Sequence, residues 1–251
     1  MKQKKGWYSV IILGLLAFTI QSCMDEQTGR KIKGNGVYVT KEITIDDYNA
    51  IEVAGSVDLE YQQLDEKAYF QIIVDENIFE HMDIFVKNKV LHILPSKKWN
   101  GSYELHSTKC IVRTNSRQIK EMMFAGSGTV NMLSDIDVDN LRFELAGSAD
   151  VYSDKEIHVN KLDLKVAGSD NISLKGTANT CKIELAGSGN VDSPKLSVKH
   201  LQCVIAGSGK VEMDVSESID CEIAGSGILI YTGNPPSVKQ IVAGSGKVIK
   251  K

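Results

Sequence analysis

Five cysteines, five histidines and a serine that returns eight times in the triad Ala-Gly-Ser are the residues of this 251-residue chain whose types bear on chemistry. A metal or thiolate site needs its members close together, as in Cys-x-x-Cys pairs or histidines at fixed spacing. No such pair occurs, and His81, His92, His106, His158 and His200 are scattered. Solvated or locally bonded imidazoles are the expectation, with no metal and no cofactor. The serines invite a hydrolase reading. A nucleophilic serine, however, sits in a Gly-x-Ser-x-Gly elbow between strand and helix and works with a histidine partner. Eight near-identical serines form a structural ladder instead, each bonding its own turn backbone. No Gly-rich loop ends in Gly-Lys-Ser/Thr, so nothing is built to cradle phosphate.

The turn Gly187-Ser188-Gly189-Asn190-Val191-Asp192 is similar to calcium-binding repeats, which need oxygen ligands coil after coil. Four residues after the alanine the chain reads Asp58, Thr129, Asp150, Asn171, Asn190, Lys210, Ile228 and Lys247. Lysine at two rungs argues against calcium. A polysaccharide lyase would need clustered carboxylates and a cationic base. Past the N-terminal segment the arginines are Arg30, Arg113, Arg117 and Arg142, and the carboxylates do not gather at one rung. A catalytic role is therefore the third-ranked reading.

The elements that position these residues follow from the repeat itself. The triads start at Ala54, Ala125, Ala146, Ala167, Ala186, Ala206, Ala224 and Ala243, spaced 71, 21, 21, 19, 20, 18 and 19 residues apart. The preceding residue is always apolar, from Val53 and Phe124 to Ile223 and Val242. Two residues earlier stand Ile51, Met122, Phe143, Leu164, Ile183, Cys203, Cys221 and Gln240, with polar residues such as Glu144 and Lys165 between. This alternation marks a strand with one buried face. Five residues after the alanine an aliphatic side chain returns every time, from Leu59 to Val248. A strand therefore enters, turns and leaves. Gly55, Gly126, Gly147, Gly168, Gly187, Gly207, Gly225 and Gly244 are the expected corners, since glycine reaches positive φ without a Cβ clash.

Second breaks fall at Ser153-Asp154, Lys175-Gly176, Ser193-Pro194 and Thr232-Gly233-Asn234, so each coil holds two or three short strands. Parallel coils about 4.8 Å apart give an all-β parallel β-helix, a β-solenoid. In that stack Cys203 and Cys221 share one inward position in consecutive coils. They are either a disulfide or small core hydrophobes, and Cys181 lies inward nearby. Before the regular repeat, strands are expected at 37–39, 43–45, 51–53 and 69–74. A hairpin turning at Lys87-Asn88-Lys89 and one helical turn within 75–81 complete that part.

Composition agrees with a globular β protein: 24% charged, 42% hydrophobic and a net charge of -3. That balance argues against a nucleic-acid partner. At the N-terminus, Lys2, Lys4 and Lys5 precede the uncharged run Val10 to Ile20, too short for a transmembrane helix and shaped like a secretory signal. Ile20-Gln21-Ser22-Cys23 resembles the lipobox of bacterial lipoproteins, with Gln21 a departure from the small or aliphatic residue usual there. The resemblance implies cleavage before Cys23, acylation of that residue and stable anchoring in a membrane. Met24-Asp25-Glu26 is similar to the acidic export tract of Bacteroidetes surface lipoproteins.

The lipoprotein start, the β-rich segment after it and the serial Ala-Gly-Ser-Gly corners together resemble the family called putative auto-transporter adhesin, head GIN domain. That resemblance implies a right-handed β-helix and a role in cell adhesion, without catalytic residues to carry over. The expected organisation is a signal peptide over 1–22, a tether over 23–35, a β-rich part over 36–110 and the repeat β-helix over 111–251. The expected function is a non-catalytic, lipid-anchored surface protein of the outer membrane that binds a glycan or protein ligand along an extended face. A structural envelope protein without a specific ligand is the alternative.

Overall fold

The computed structural model describes residues 30–96 and 103–251. Cys23 and the signal-like segment lie outside the described residues. The chain is 76% strand and 2% helix, and its parallel coils stack into a β-solenoid of about six turns. Among the described residues no helix is long and apolar enough to cross a membrane.

Strands β1 (Arg30–Lys33) and β8 (Tyr103–His106) pair parallel in a small sheet of their own. The N-terminal part continues with β2 (Tyr38–Glu42), β3 (Ala50–Ser56), β4 (Asp58–Gln63) and β5 (Phe70–Asp75). The single helical turn α1 (Glu76–Phe79) and the strands β6 (Met82–Lys87), β7 (Val90–Pro95) and β9 (Cys110–Ser116) follow. The β6–β7 hairpin closes on two residues, Asn88 and Lys89, both at positive φ (53° and 65°). Lys87 pairs with Val90 and so belongs to the strand. Two left-handed residues match the twist of the flanking strands, which a three-residue turn there would not. Residues 43–45 alternate like a strand but form none. Ile45 buries its side chain in the core, and the backbone beyond Ile43 stays outside the ladders.

From β10 (Glu121–Met132) onward the chain winds as a coil. Its rungs are β11 (Ile136–Gly168), β12 (Asn171–Gly187), β13 (Asn190–Gly207), β14 (Lys210–Gly225), β15 (Ile228–Thr232), β16 (Ser237–Gly244) and β17 (Lys247–Lys250). One coil shows the pattern. Leu141, Phe143 and Leu145 face inward on the first side, Ala149 and Val151 on the second, Ile157 and Val159 on the third. Pairs of exposed residues such as Gly147-Ser148 and Asn160-Lys161 mark the corners between them. Each inward residue stacks on its counterpart one coil away, as Leu164 on Ile183, Cys203 and Cys221.

The 71-residue gap before the second triad is an excursion, not a separation. Ala50–Ser56 pairs residue for residue with Glu121–Ser127, Gly55 opposite Gly126, so the first triad is the rung directly beneath the second. The chain leaves after β4, builds β5 to β9 and returns. On the far side of β3 lies β7, which closes that end of the stack. At the other end β16 pairs only with β14 among the described strands, and its residues are all exposed. Gln240 and Val242 stand at inward register positions yet are exposed there, because no described coil covers them. Lys239, Lys247 and Lys250 on these last strands blunt the free edge against pairing with another chain.

Candidate functional site

All eight triad glycines have positive φ, from 114° to 145°. From Gly126 onward a second constraint joins the backbone angle. A Cβ on Gly126 would lie 2.1 Å from the carbonyl oxygen of Gly55, and one on Gly207 would lie 2.3 Å from that of Gly187. Each glycine thus rests its Cα on the carbonyl of the glycine one coil below. The following serine N–H donates to that same carbonyl, as Ser188 to Gly168 O at 2.9 Å and Ser208 to Gly187 O at 2.9 Å. The hydroxyls of Ser56 and Ser127 bond each other at 2.8 Å. The corner is a close-packed backbone column and presents no nucleophile beside a base.

The fourth residue of the turn points inward. It is Val57, Ala149 and Asp170 in three coils, all buried, and glycine in the other five. Asp170 accepts the Ala149 N–H through Oδ1 at 2.7 Å, while its Oδ2 is buried without a partner. Burial raises its carboxyl above the ordinary range, and the nearby Asp150 carboxylate adds to this against the bonds from Ala149 and Gly147. Asp75 is the opposite case. Burial acts to raise it, but bonds from Ser107, the Gly36 N–H and Thr108 outweigh that and hold its carboxyl well below the usual range.

Cys203 and Cys221 are register partners and, like Cys110 and Cys181, free buried thiols. The bond between the two and their burial push the Cys203 thiol far up, and burial lifts Cys110 to about 12. Buried and protonated, these sulfurs serve as small core groups. His92 and His106 bond a glutamate at 2.6 and 3.2 Å, while His158 and His200 lie 3.4 and 3.3 Å from one and bond Thr177 and Ser218. Among the described residues no group of three or more His, Cys, Asp or Glu is placed to hold a metal. Tyr152 is exposed, whereas Tyr231 is buried on the inward face of β15 and cannot join an outer aromatic row.

The outer walls carry ordered polar rows. On the first side one row reads Glu121, Arg142, Asp163, Lys182, Gln202, Asp220 and Lys239, so charge largely alternates from coil to coil. Arg142 bonds Glu144 at 2.7 Å and lies 3.4 Å from Glu121, and Lys182 bonds Glu184. On the second side Asn190 Nδ2 donates to Asn171 Oδ1 at 2.9 Å, and Asn171 Nδ2 to Asp150 Oδ1 at 2.7 Å. On the third side a groove of about 590 Å³ runs across the coils, lined by Asp137, Asp139, His158, Asn160, Thr177, Asn179, Ser197 and Lys199. With Ser216 these hydrogen-bonding groups come from five successive coils, held in place by the stack.

The family described as putative auto-transporter adhesin, head GIN domain matches residues 47–235. The chain belongs to this family. Solved structures agree. A putative adhesin from Bacteroides fragilis NCTC 9343 is 25% identical with a TM-score of 0.79, covering 88% of this chain and 100% of its own. A putative lipid binding protein from Parabacteroides distasonis ATCC 8503 is 29% identical with a TM-score of 0.75 over the same shares. A putative adhesin from Parabacteroides merdae ATCC 43184 is 28% identical with a TM-score of 0.69, covering 89% and 100%. No curated protein matches the chain. For this family member, two features of the surface were not legible as sites from local sequence. They are the third-side groove and a smaller pocket where β4, β5 and β9 meet. A repeat-aware reading of the third side, aligning His158, Thr177 and Ser197, finds the groove; the pocket forms only where Arg113 and Leu133 come back against residues 60–69, which no local signal announces.

Proposed function

We propose that this protein is a non-catalytic cell-surface binding module that acts in adhesion, anchored to the outer membrane through acylated Cys23. The observation that carries the reading is the set of polar rows held in register across successive coils, ending in the third-side groove. A rigid wall of this kind offers many weak contacts at fixed spacing, and binding strength then comes from many copies on one surface. Membership of the adhesin family supports the same reading. Catalysis instead requires a few groups converging on one reacting atom, whereas four of the histidines, His92, His106, His158 and His200, are dispersed along the molecule in separate pairs with glutamates.

The test compares densely coated beads with free monomer. Full-length protein coupled to beads should bind a cell or matrix surface far better than the monomer does, and should release no product from glycan or ester substrates. Turnover abolished by changing a single Asp or His would reject the reading. Failure of coated beads to bind any surface would favour a structural envelope role. Anchoring is tested separately by labelling with a palmitate analogue: label on wild type and none on Cys23→Ala is expected, and label on the variant would overturn it.

A further inference from the structure

The pocket where β4, β5 and β9 meet is removed from the third-side groove and has a different chemistry. It encloses about 280 Å³ and is lined by Glu60, Gln62, Glu66, Tyr69, Arg113 and Leu133, among others. Tyr69 is 43% exposed, as is Leu133, so an aromatic ring and an aliphatic side chain stand at a polar site open to solvent. The Tyr69 backbone is fixed on both sides. Its N–H donates to Asn115 Oδ1 at 2.7 Å, and its carbonyl accepts from Thr114 Oγ1 at 2.7 Å. Thr114 is itself bonded to the buried Tyr48 hydroxyl at 2.7 Å. A ring set on a backbone held this way needs little ordering when a ligand arrives, because tyrosine has only two side-chain torsions to fix.

Beside the ring, Arg113 Nε donates to Glu60 Oε2 at 2.6 Å and Nη1 to Gln71 Oε1 at 3.4 Å. The guanidinium, carboxylate and amide thus lie side by side in register across β4, β9 and β5. Arg113 Nη2 and Glu60 Oε1 take no part in these bonds and remain as donor and acceptor for a ligand.

We propose that this pocket is a carbohydrate-binding subsite that takes a sugar unit of a neutral glycan. A pyranose ring has a face of C–H groups and a rim of hydroxyls. The face matches the tyrosine ring, and neighbouring hydroxyls match the paired donor and acceptor of Arg113 and Glu60. The charge selects among sugars: Glu60 and Glu66 against Arg113 leave the pocket net negative, which repels sialic and uronic acids. A protein partner fits less well. Cores of protein interfaces are depleted in charge, and they belong to patches of roughly 800 Å² per partner. Here the centre is an ion pair and the apolar part is one ring and two leucines, Leu64 and Leu133.

The proposal rests on the binding-module reading and names a ligand class for it. The experiment uses full-length protein in detergent on an array of neutral oligosaccharides (glucans, mannans and N-acetylglucosamine oligomers), with sialylated and uronate glycans alongside. Binding to at least one neutral class is expected. Tyr69→Ala and Arg113→Ala should each weaken it about tenfold or more, since buried aromatic and arginine contacts dominate binding. Tyr69→Phe, which keeps the ring, should stay within about threefold. Tyr152→Ala, exposed but outside the pocket, should bind as wild type, and melting temperature reports whether any variant has lost its fold. Tyr69→Phe and Arg113→Gln keep the test decisive if the alanine variants unfold. Several outcomes overturn the subsite: no neutral glycan bound, undiminished binding by folded Tyr69→Ala, preference for acidic glycans, or a protein captured through Tyr69 without sugar. If coated beads still adhere with Tyr69→Ala and no glycan binds, the subsite falls and the adhesion reading stands. If neither beads nor glycans bind, both fall.

Discussion

The two kinds of corner in each coil obey different rules. At the Ala-Gly-Ser corner the register runs without a slip through every rung, Ala125 over Ala146, Ala167 over Ala186, Ala206 over Ala224 and Ala224 over Ala243. At the next corner the register shifts between Tyr152 and Glu156, between Ile172 and Lys175, and between Ser193 and Ser197, and at the third corner it shifts once more, between Val198 and His200. All the spread in coil length from the third triad to the seventh is thus absorbed away from the glycines. The cause is the distance between backbones. Along the triad column a Cβ on each glycine from Gly126 onward would meet the carbonyl below at 2.1–2.5 Å, rung after rung, and there sequence and length repeat. The equally close approach of Gly176 to Ile157 O is confined to one coil. Where the corner residues, such as Asp154, Lys155, Pro194 and Lys195, point to solvent, the chain can gain or lose a residue. Hydroxyls close those variable corners, Ser153 Oγ bonding Lys155 O at 2.7 Å and Ser193 Oγ accepting the Leu174 N–H at 3.0 Å.

The largest effect should come from breaking the glycine column in mid-stack. Gly207→Val combines φ of 128° with a side chain directed at the Gly187 carbonyl, and should cost upwards of ~3 kcal/mol. Urea unfolding measures it; a midpoint equal to wild type would show that the column tolerates side chains. Next in size is Asp75→Ala, outside the repeat. It leaves the Gly36, Ser107 and Thr108 donors without their acceptor, at a cost of about 2–3 kcal/mol at neutral pH. Because the folded carboxyl sits below its unfolded value, its stabilisation is present above about pH 4 and lost as pH falls. The gap between variant and wild type should therefore shrink on acidification.

Gly55→Ala separates the two components of the glycine requirement. Its φ of 114° is as unfavourable as in the other rungs, but no atom lies within 4 Å of the added Cβ. It should cost only about 1–2 kcal/mol, the backbone share alone. A loss as large as that of Gly207→Val would mean that φ, not the carbonyl contact, sets the corner.

The same contrast explains what could be read from the residues. The glycine corner imposes a sequence pattern, so the triads and the inward alternation disclose the solenoid and its register. The N-terminal excursion imposes none. Nothing in 57–120 says that Gly55 returns beneath Gly126, because that contact is made by strands closing over a 71-residue loop. The Tyr69–Arg113–Glu60 pocket is hidden for the same reason, since Arg113 reaches Glu60 and Tyr69 only when the distant strand β9 returns between β4 and β5. Tyr231 sits on the inward register of β15, opposite Met213, which its isolated place in the sequence does not disclose. Asp170 goes unread in the local sequence and shows itself only against the aligned turns. The fourth turn position is small or apolar in every other coil, so a carboxylate there had to be buried.

Asp170→Gly supplies the smallest effect and the finest test. Glycine is native to that position in five coils, so the backbone accepts it. What changes is the Oδ1 bond to the Ala149 N–H and the buried, unpartnered Oδ2. Burial has raised the folded carboxyl above its unfolded value, so the acid form gains in the folded state as pH falls. The bond then comes without a buried charge, and losing it should cost about 1 kcal/mol. A raised folded pKa contributes stability that is complete below the unfolded value and is lost as pH climbs through the folded one. Wild type therefore gives up part of its advantage on the way to pH 8, where it must bury a carboxylate or keep a proton against the solvent. The difference between Asp170→Gly and wild type should narrow as pH rises, opposite in sign to Asp75→Ala. Thermal unfolding of both variants between pH 4 and pH 8 checks the pair. A difference for Asp170→Gly that widens with pH would mean that the carboxylate is satisfied when charged, and that the turn was shaped to hold an anion there.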